Sequence, residues 1–368
     1  MGMRPVAAYL SDSYVFNWRQ QTFATDLIFV VPIAFCLVAG LATAHPGAGM
    51  IAAGGALLVG FGAKHSIESS PLLPMIFACL SITFSTFVGM LAGHDNYVLI
   101  PVAAFWAFGY GMLTERPGGY GWVGLQGVVT LLVGSAFPVS AKPAMVRALL
   151  MLAGGATQVL WSSAALRLFS QLSDHLRDIA RYMREEEIAL RAAVAQVAAT
   201  VRKRNFTDST VAYSLRLMVT VAVSTEIYRL LHFASGYWIP MTAVLVLKPG
   251  LADTASKAIA RTLGTVAGAW LLSVLIAHFT PSPVTLAIFT LVFAWLSYAT
   301  LNVNYALFAV FITGYIVFLL SLALIPGPEI AYRRALCTAI GGAMALSVRL
   351  VVLHRRKAGL TAKTAKEG

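Results

Sequence analysis

Arginines at the start of two apolar segments are the residues of this sequence best suited to bind an anion. Arg147 begins the apolar segment 144–166, and Arg333 and Arg334 begin the corresponding segment 331–353. A guanidinium offers paired N–H donors that match the geometry of a carboxylate. If the two segments face each other, these arginines form a cationic ring of the kind that selects anions. The alternative is that they snorkel to lipid phosphates at the membrane surface.

The short apolar segment 237–247 is a second candidate for a binding site. As a helix it covers only about 16 Å, and Pro240 removes a backbone donor within it. Its counterpart in the first half, 48–63, is rich in glycine. Interrupted segments at matching positions of two halves are typical of transporter binding sites, although a kinked packing helix is the alternative. The expected contributors are Trp238, Pro240, Thr242 and Lys248.

Two acidic residues lie within apolar segments and are candidates for proton coupling. Glu226 is deep in the seventh segment, and Asp26 is near the start of the first. Buried acids in a membrane are costly and commonly carry protons or ions. A structural pair of Glu226 with Arg229, one turn later, is the alternative. The hydroxyls of Tyr305 and Thr313 lie along the eleventh segment, where they either line a path or bond to neighbouring helices.

Twelve apolar segments supply the helices that must position these residues. The chain has 368 residues, of which 58% are hydrophobic and 11% charged, and its mean hydropathy is +0.77. A bilayer core requires about 20 helical residues, and most of the segments qualify. They fall at 24–43, 48–63, 72–92, 97–113, 121–137, 144–166, 211–233, 237–247, 258–278, 284–300, 303–325 and 331–353.

A charged stretch, 167–210, separates six apolar segments from the other six. Its apolar residues recur at near-helical spacing, which predicts an amphipathic helical linker. The pairs Gly154-Gly155 and Gly341-Gly342 hold similar positions in their halves, which favours an internal duplication. We therefore expect an all-α membrane protein with about twelve transmembrane helices in two parallel repeats. Its parts are a first half (1–166), the linker, a second half (211–354) and a basic tail (355–368).

The distribution of Lys and Arg predicts the orientation of the chain. Cations are concentrated in the linker, the tail and the loops on the same side, which places both termini in the cytoplasm of a bacterial-type inner membrane. The net charge of +12 mostly reflects this rule and does not favour nucleic-acid binding. The sequence shows no metal-ligand spacing and no catalytic or nucleotide-binding motif. We therefore expect no enzyme activity, metal or cofactor. Any active transport must take its energy from a gradient or from another chain.

The second half resembles the fusaric-acid-resistance-like family of inner-membrane proteins. The stretch 237–249, which reads YWIPMTAVLVLKP, carries the resemblance, together with an Arg-x-x-Gly-Thr-x-x-Gly helix beginning at Arg261. The stretches 305–315 and 334–342 also fit. The same stretches are similar to plant aluminium-activated malate transporters, within the wider aromatic acid exporter superfamily. The first half lacks both motifs, so the second half is expected to supply most of the binding contacts.

The resemblance implies transport of organic anions, with basic residues of the sixth helix of each half, here Arg147, Arg333 and Arg334, lining the path. We expect an exporter of aromatic or other organic carboxylates driven by the proton gradient, in which Arg147, Arg261 and Arg334 attract or bind the anion. Two alternatives stay open, a passive anion channel and a membrane scaffold that acts through the linker. Beyond the anion and the lipid bilayer, a homodimer and a periplasmic adaptor protein are possible partners.

Overall fold

The computed structural model describes residues 6–68, 70–170, 208–233, 235–278, 282–323 and 326–367. The described residues form helices and connecting turns, with no strand among them. The greater part of the expected linker, 171–207, lies outside this description. Helices α1–α6 precede the linker, at Phe23–Ala42, Pro46–Lys64, Leu72–Ala92, Asn96–Leu113, Tyr120–Ser135 and Ala141–Ser170. Helices α7–α12 follow it, at Asp208–Leu230, Trp238–Val246, Leu251–His278, Pro283–Thr300, Tyr305–Ser321 and Gly327–Glu367.

Eight of the described helices are long and apolar enough to cross a membrane. They are α1–α4, α6, α9, α10 and α12, with α12 counted from Gly327 to His354. Helices α5 and α11 are apolar but shorter. The chain is therefore a multi-pass membrane protein, as the composition predicts. We call the end of the bundle where α6 ends and α7 begins the linker end, and the opposite end the far end.

Side-chain caps fix the start of several helices. Asp95 accepts a hydrogen bond from Tyr97 N at the start of α4, and Asn304 accepts one from Leu307 N at the start of α11, both at 2.9 Å. Each bond satisfies a backbone donor that the first turn leaves unpaired. Asn304 also donates to Val15 O at 2.9 Å, so its cap ties α11 to the N-terminal part of the chain.

Helix α8 has nine residues and is too short to span a bilayer. Pro240 is not the cause, because it lies in the first helical turn, where a proline costs no intrahelical bond. The helix ends because Leu247 is extended and because Pro249 disfavours helical geometry at Lys248. The expected interruption of the matching segment in the first half is wrong. There, α2 is helical from Pro46 to Lys64 and its last turn tightens to a 3-10 helix.

The helices of the two halves pack in the same order. Within the first half, α1 packs on α2, α2 on α6, α3 on α5 and α6, and α4 on α5. Within the second half, α7 packs on α8, α8 on α12, α9 on α11 and α12, and α10 on α11. The halves join where α4 meets α7 and where α1 meets α10. Two buried apolar clusters fill these junctions, and each contains residues from both halves.

Candidate anion-binding site

Arg334 is the most unusual residue of the protein, because it is a charged side chain with 0% exposure. It lies near the start of α12, and its Nε donates to Thr313 Oγ1 of α11 at 3.2 Å. Its Cζ atom lies 4.0 Å from the ring centroid of Trp238 on α8, a cation–π contact. Within the described part of the chain, its Nη1 and Nη2 have no hydrogen-bond partner. A buried guanidinium with two free donor atoms is costly unless an anion binds them.

A second buried guanidinium lies close to the first. Arg261 of α9 is 4% exposed, and it is near enough to Arg334 for their charges to repel. Its Nε is also without a hydrogen-bond partner among the described residues, as are the buried hydroxyls of Thr242 and Thr265. No carboxylate in the described ranges forms a salt bridge with either arginine. We call this set the arginine cluster: Trp238, Thr242, Arg261, Thr265, Thr313 and Arg334.

Two glycines allow the four helices of the arginine cluster to approach closely. A Cβ atom on Gly341 of α12 would lie 2.5 Å from Ile239 O of α8, so only glycine permits this contact. The approach brings Arg334, two turns earlier on α12, against Trp238. A Cβ atom on Gly268 of α9 would lie 2.9 Å from Val310 O of α11. That contact places the α9 face bearing Arg261 against the helix that carries Thr313.

A cleft of about 570 Å³ lies at the far end, next to the cluster. Its walls include the cations Arg229 and Arg333, and aromatic rings of Phe137, Tyr237 and Trp238. Trp238 is shared, because the same indole that lines the cleft also lies over the Arg334 guanidinium. The indole therefore separates the cleft from the buried donors of the arginine cluster.

Two lysines extend the line of cations from the arginine cluster to the linker end. Lys257 lies one turn before Arg261 on α9, and its Nζ is 5.0 Å from the centroid of the Tyr305 ring. Lys248 is half-buried in the break between α8 and α9. Tyr213 of α7 holds this break in place, because its hydroxyl donates to Leu247 O at 2.9 Å. Cationic side chains thus follow the second half from the far-end cleft to the linker end.

The expected ring of arginines from both halves is wrong in this structure. Arg147 is only half-buried on α6, which packs on α1, α2 and α3, whereas α12 packs on α8, α9 and α11. Arg147 therefore lies apart from the arginine cluster. Arg333, the neighbour of Arg334, points to the cleft and forms an exposed salt bridge with Glu329. Of the three arginines expected to line the path, Arg334 alone belongs to the arginine cluster.

The two candidate proton carriers have different surroundings. Asp26 is buried at the linker end, where Lys64 Nζ lies 2.6 Å from Oδ1 and 2.8 Å from Oδ2. Glu226 is half-buried on α7. The alternative pairing of Glu226 with Arg229 is not what the structure shows, because Arg229 donates to Asn96 Oδ1 at 2.5 Å and to Gly93 O at 2.8 Å.

Several residues of the cleft and the cationic path lie outside the set expected from the sequence, among them Phe137, Arg229, Tyr237, Lys257 and Thr265. A signal for Lys257 and Thr265 existed, because each is one helical turn from Arg261 and must share its face of α9. No sequence signal marked Tyr237 as a wall of the cleft rather than an interfacial aromatic residue.

The fold and the site together define a multi-pass helical membrane protein with a buried cationic cluster in its second half. Residues 221–348 match the family model described as "Fusaric acid resistance protein-like", which confirms the resemblance carried by the motifs of that half. The match contains α8–α11 whole, with the last ten residues of α7 and the first part of α12. It therefore includes every residue of the arginine cluster.

A relative in Escherichia coli strain K12, named "Uncharacterized protein YhfK", is 30% identical over 152 residues. The matched part is 41% of this chain and 22% of the relative, so the similarity spans about a fifth of that longer protein. No solved structure matches the chain significantly.

Proposed function

We propose that this membrane protein transports small organic anions, and that the arginine cluster is its anion-binding site. One observation carries the proposal: Arg334 is fully buried, yet two of its nitrogen atoms have no partner among the described residues. A carboxylate can accept two parallel bonds from such a guanidinium. The match of 221–348 to a family described by resistance to an acid supports transport, in the direction of export.

Aromatic carboxylates are the substrate class that we favour. The cleft presents Phe137, Tyr237 and Trp238 beside Arg229 and Arg333. A planar ring gains about 0.5–1.5 kcal/mol from each well-placed aromatic neighbour beyond simple burial. An anion with a ring can therefore first pack against the aromatic side chains of the cleft. It can then displace the Trp238 indole from Arg334 and bind there.

We also propose that the chain is a duplication of six helices, which gives twelve membrane helices in two parallel repeats, with α8 as a short member that does not cross the bilayer as a helix by itself. The identical packing order of α1–α6 and α7–α12 supports this layout. So does a matched pair of glycines, since Gly154 packs α6 on the Ala52 carbonyl of α2 much as Gly341 packs α12 on α8. The distribution of Lys and Arg supports an inner-membrane protein with both termini in the cytoplasm.

The anion site belongs to the second half of this duplication alone. At the offset that relates Gly154 to Gly341, Arg147 corresponds to Arg334, but Ile51 stands in place of Trp238. The first half also packs Met75, Cys79 and Met151 into an apolar cluster beside α2, α3 and α6. We infer that the first half is a scaffold for the path in the second.

We propose a gated carrier rather than an open channel, with Glu226 as the group that couples transport to protons. The burial of Arg334 beneath Trp238 supports a gate on the far-end side. Glu226 is favoured over Asp26, because Asp26 already has Lys64 as a close partner.

Transport by purified protein in liposomes tests this function. We expect accumulation of a labelled aromatic acid when a pH gradient is imposed, after subtraction of leak into protein-free liposomes. Electrical recordings on the same protein discriminate the alternative, since large currents without a pH gradient indicate a passive channel. Absence of any anion flux would contradict transport and favour a membrane scaffold.

A further inference from the structure

The N-terminal segment, Val6–Gln21, lies across the linker end of the second half. Asp12 N donates to Ser256 Oγ of α9 at 2.8 Å, and Ser11 Oγ lies 3.1 Å from the same oxygen. Further along the segment, Asn17 N donates to Val303 O at 2.9 Å, and Val15 O accepts from Asn304 Nδ2. These bonds attach one segment of the first half to α9 and to the turn that precedes α11.

The residues that hold this segment are direct neighbours of the cationic path. Ser256 precedes Lys257, and Asn304 precedes Tyr305, whose ring lies under the Lys257 ammonium. Ser256 and Asn304 are 1% and 4% exposed, so the N-terminal segment closes the surface above them. The N-terminal segment therefore lies beside the residues at the linker end of the cationic path.

The segment also brings a negative charge to the same place. Burial lowers the pKa of the Lys248 ammonium, and the negative charge of Asp12, together with Tyr305, opposes that shift. The Asp12 backbone is bonded to Ser256, the residue before Lys257, so the carboxylate of Asp12 lies near the cations at the linker end of the path. It supplies there the chemical group that a carboxylate substrate would bring.

We propose that the N-terminal segment is an autoinhibitory plug of the linker-end entrance, with Asp12 in the place of the incoming anion. The proposal rests on the proposed transport function and adds a regulated entrance to it. The contacts that hold the plug are a few hydrogen bonds between polar groups, each worth about 0.5–1.5 kcal/mol. Contacts of that size permit release of the segment without unfolding of α9 or α11.

A reversible cross-link tests the plug. The Ser11 and Ser256 hydroxyl oxygens are 3.1 Å apart, so the double variant Ser11→Cys with Ser256→Cys places two thiols within reach of each other. We expect oxidation to reduce flux of an aromatic acid in liposomes to the protein-free background, and a reductant to restore it. The single variants, treated with the same oxidant, control for Cys36, Cys79 and Cys337, which are buried.

The result that overturns the plug is a complete cross-link with unchanged flux. Absence of flux in the reduced double variant and in the wild-type protein is a different outcome, because it refutes the transport function and the plug with it. Flux in the reduced protein together with its loss on oxidation supports both.

A charge variant tests the part played by Asp12. Asp12→Asn is expected to raise flux about two- to fivefold, the effect of losing one partly exposed charge interaction. Glu68→Gln is the matched control, since Glu68 is an exposed acid at the linker end of the first half. Equal flux in Asp12→Asn and wild-type protein contradicts the role of the carboxylate.

Discussion

Replacement of Arg334 by methionine tests whether this arginine binds an anion or stabilises the fold. Methionine fills much of the same volume with an apolar, flexible side chain. The variant therefore removes the positive charge and its donors without leaving a large cavity. Arg333→Met is the matched control, because Arg333 directly precedes Arg334 on α12 and its side chain is exposed.

The effect on binding follows from the two free nitrogen atoms of Arg334. If Nη1 and Nη2 each donate to a carboxylate, the variant loses two charge-assisted bonds of about 1.5–3 kcal/mol each. The total is a loss of about 10²–10⁴-fold in affinity. Arg333→Met is expected to bind within about threefold of wild type, as for an exposed ion pair.

The effect of Arg334→Met on stability is expected to be small, unlike its effect on binding. The variant loses the bond to Thr313 and the cation–π contact with Trp238, worth about 1.5–3 and about 2 kcal/mol. It also removes two buried, unpaired polar atoms, each of which costs about 1–3 kcal/mol. These contributions nearly cancel, so the thermal midpoint without ligand is expected to stay within a few degrees of wild type.

Thermal unfolding in detergent, with and without an aromatic acid, measures both effects in one experiment. We expect the ligand to raise the midpoint of wild type and of Arg333→Met, and to leave the midpoint of Arg334→Met unchanged. Equilibrium binding of a labelled acid gives the affinities. A variant that keeps the ligand-induced shift, or that unfolds far below wild type without ligand, would refute the reasoning.

Three further predictions concern the gate, the coupling group and a buried ion pair. Trp238→Ala is expected to give an anion leak in electrical recordings, whereas Trp238→Phe keeps the gate closed because it retains a ring over the guanidinium; equal leak from both contradicts a gate. Glu226→Gln is expected to retain exchange of labelled for unlabelled acid but to lose accumulation driven by a pH gradient, and accumulation that survives rules out Glu226. Asp26→Asn and Lys64→Met are each expected to lower stability by about 3–5 kcal/mol, because either change leaves a buried charge unpaired. The double variant should cost less than the two single changes together in denaturant unfolding, and additive losses contradict a coupled pair.

The helix positions could be predicted from the sequence because apolar length is a local property. The predicted segment 72–92 is confirmed by helix Leu72–Ala92, and 97–113 by Asn96–Leu113. The shortness of α8 was also predictable. Its cause was not, since the position of Pro240 in the first turn depends on where the helix begins. A proline in the first turn costs no intrahelical hydrogen bond, whereas a proline one turn later removes one.

The composition of the site was only partly predictable, because burial depends on packing between distant helices. Trp238, Thr242, Arg261, Thr313 and Arg334 were all singled out from the sequence, and the structure brings them together. Symmetry of the sequence also suggested Arg147, which occupies the position matching Arg334. The first half has Ile51 in the place of Trp238, and Arg147 is only half-buried there.

Hydrogen bonds between residues far apart in the chain could not be predicted from a single sequence. The bond between Asp12 N and Ser256 joins residues 244 apart, and Arg229 and Asn96 are 133 apart. Their side chains are ordinary polar residues whose spacing predicts no contact. The position of the N-terminal segment over the second half is therefore evident only from the fold.

A crystal structure with 4-bromobenzoate tests the central claim most directly, since bromine is located by its anomalous scattering. We predict a carboxylate between the guanidinium groups of Arg334 and Arg261, with the brominated ring beside Trp238. A bromine site beside Arg147, or sites confined to the lipid-facing surface, would contradict an anion site in the arginine cluster.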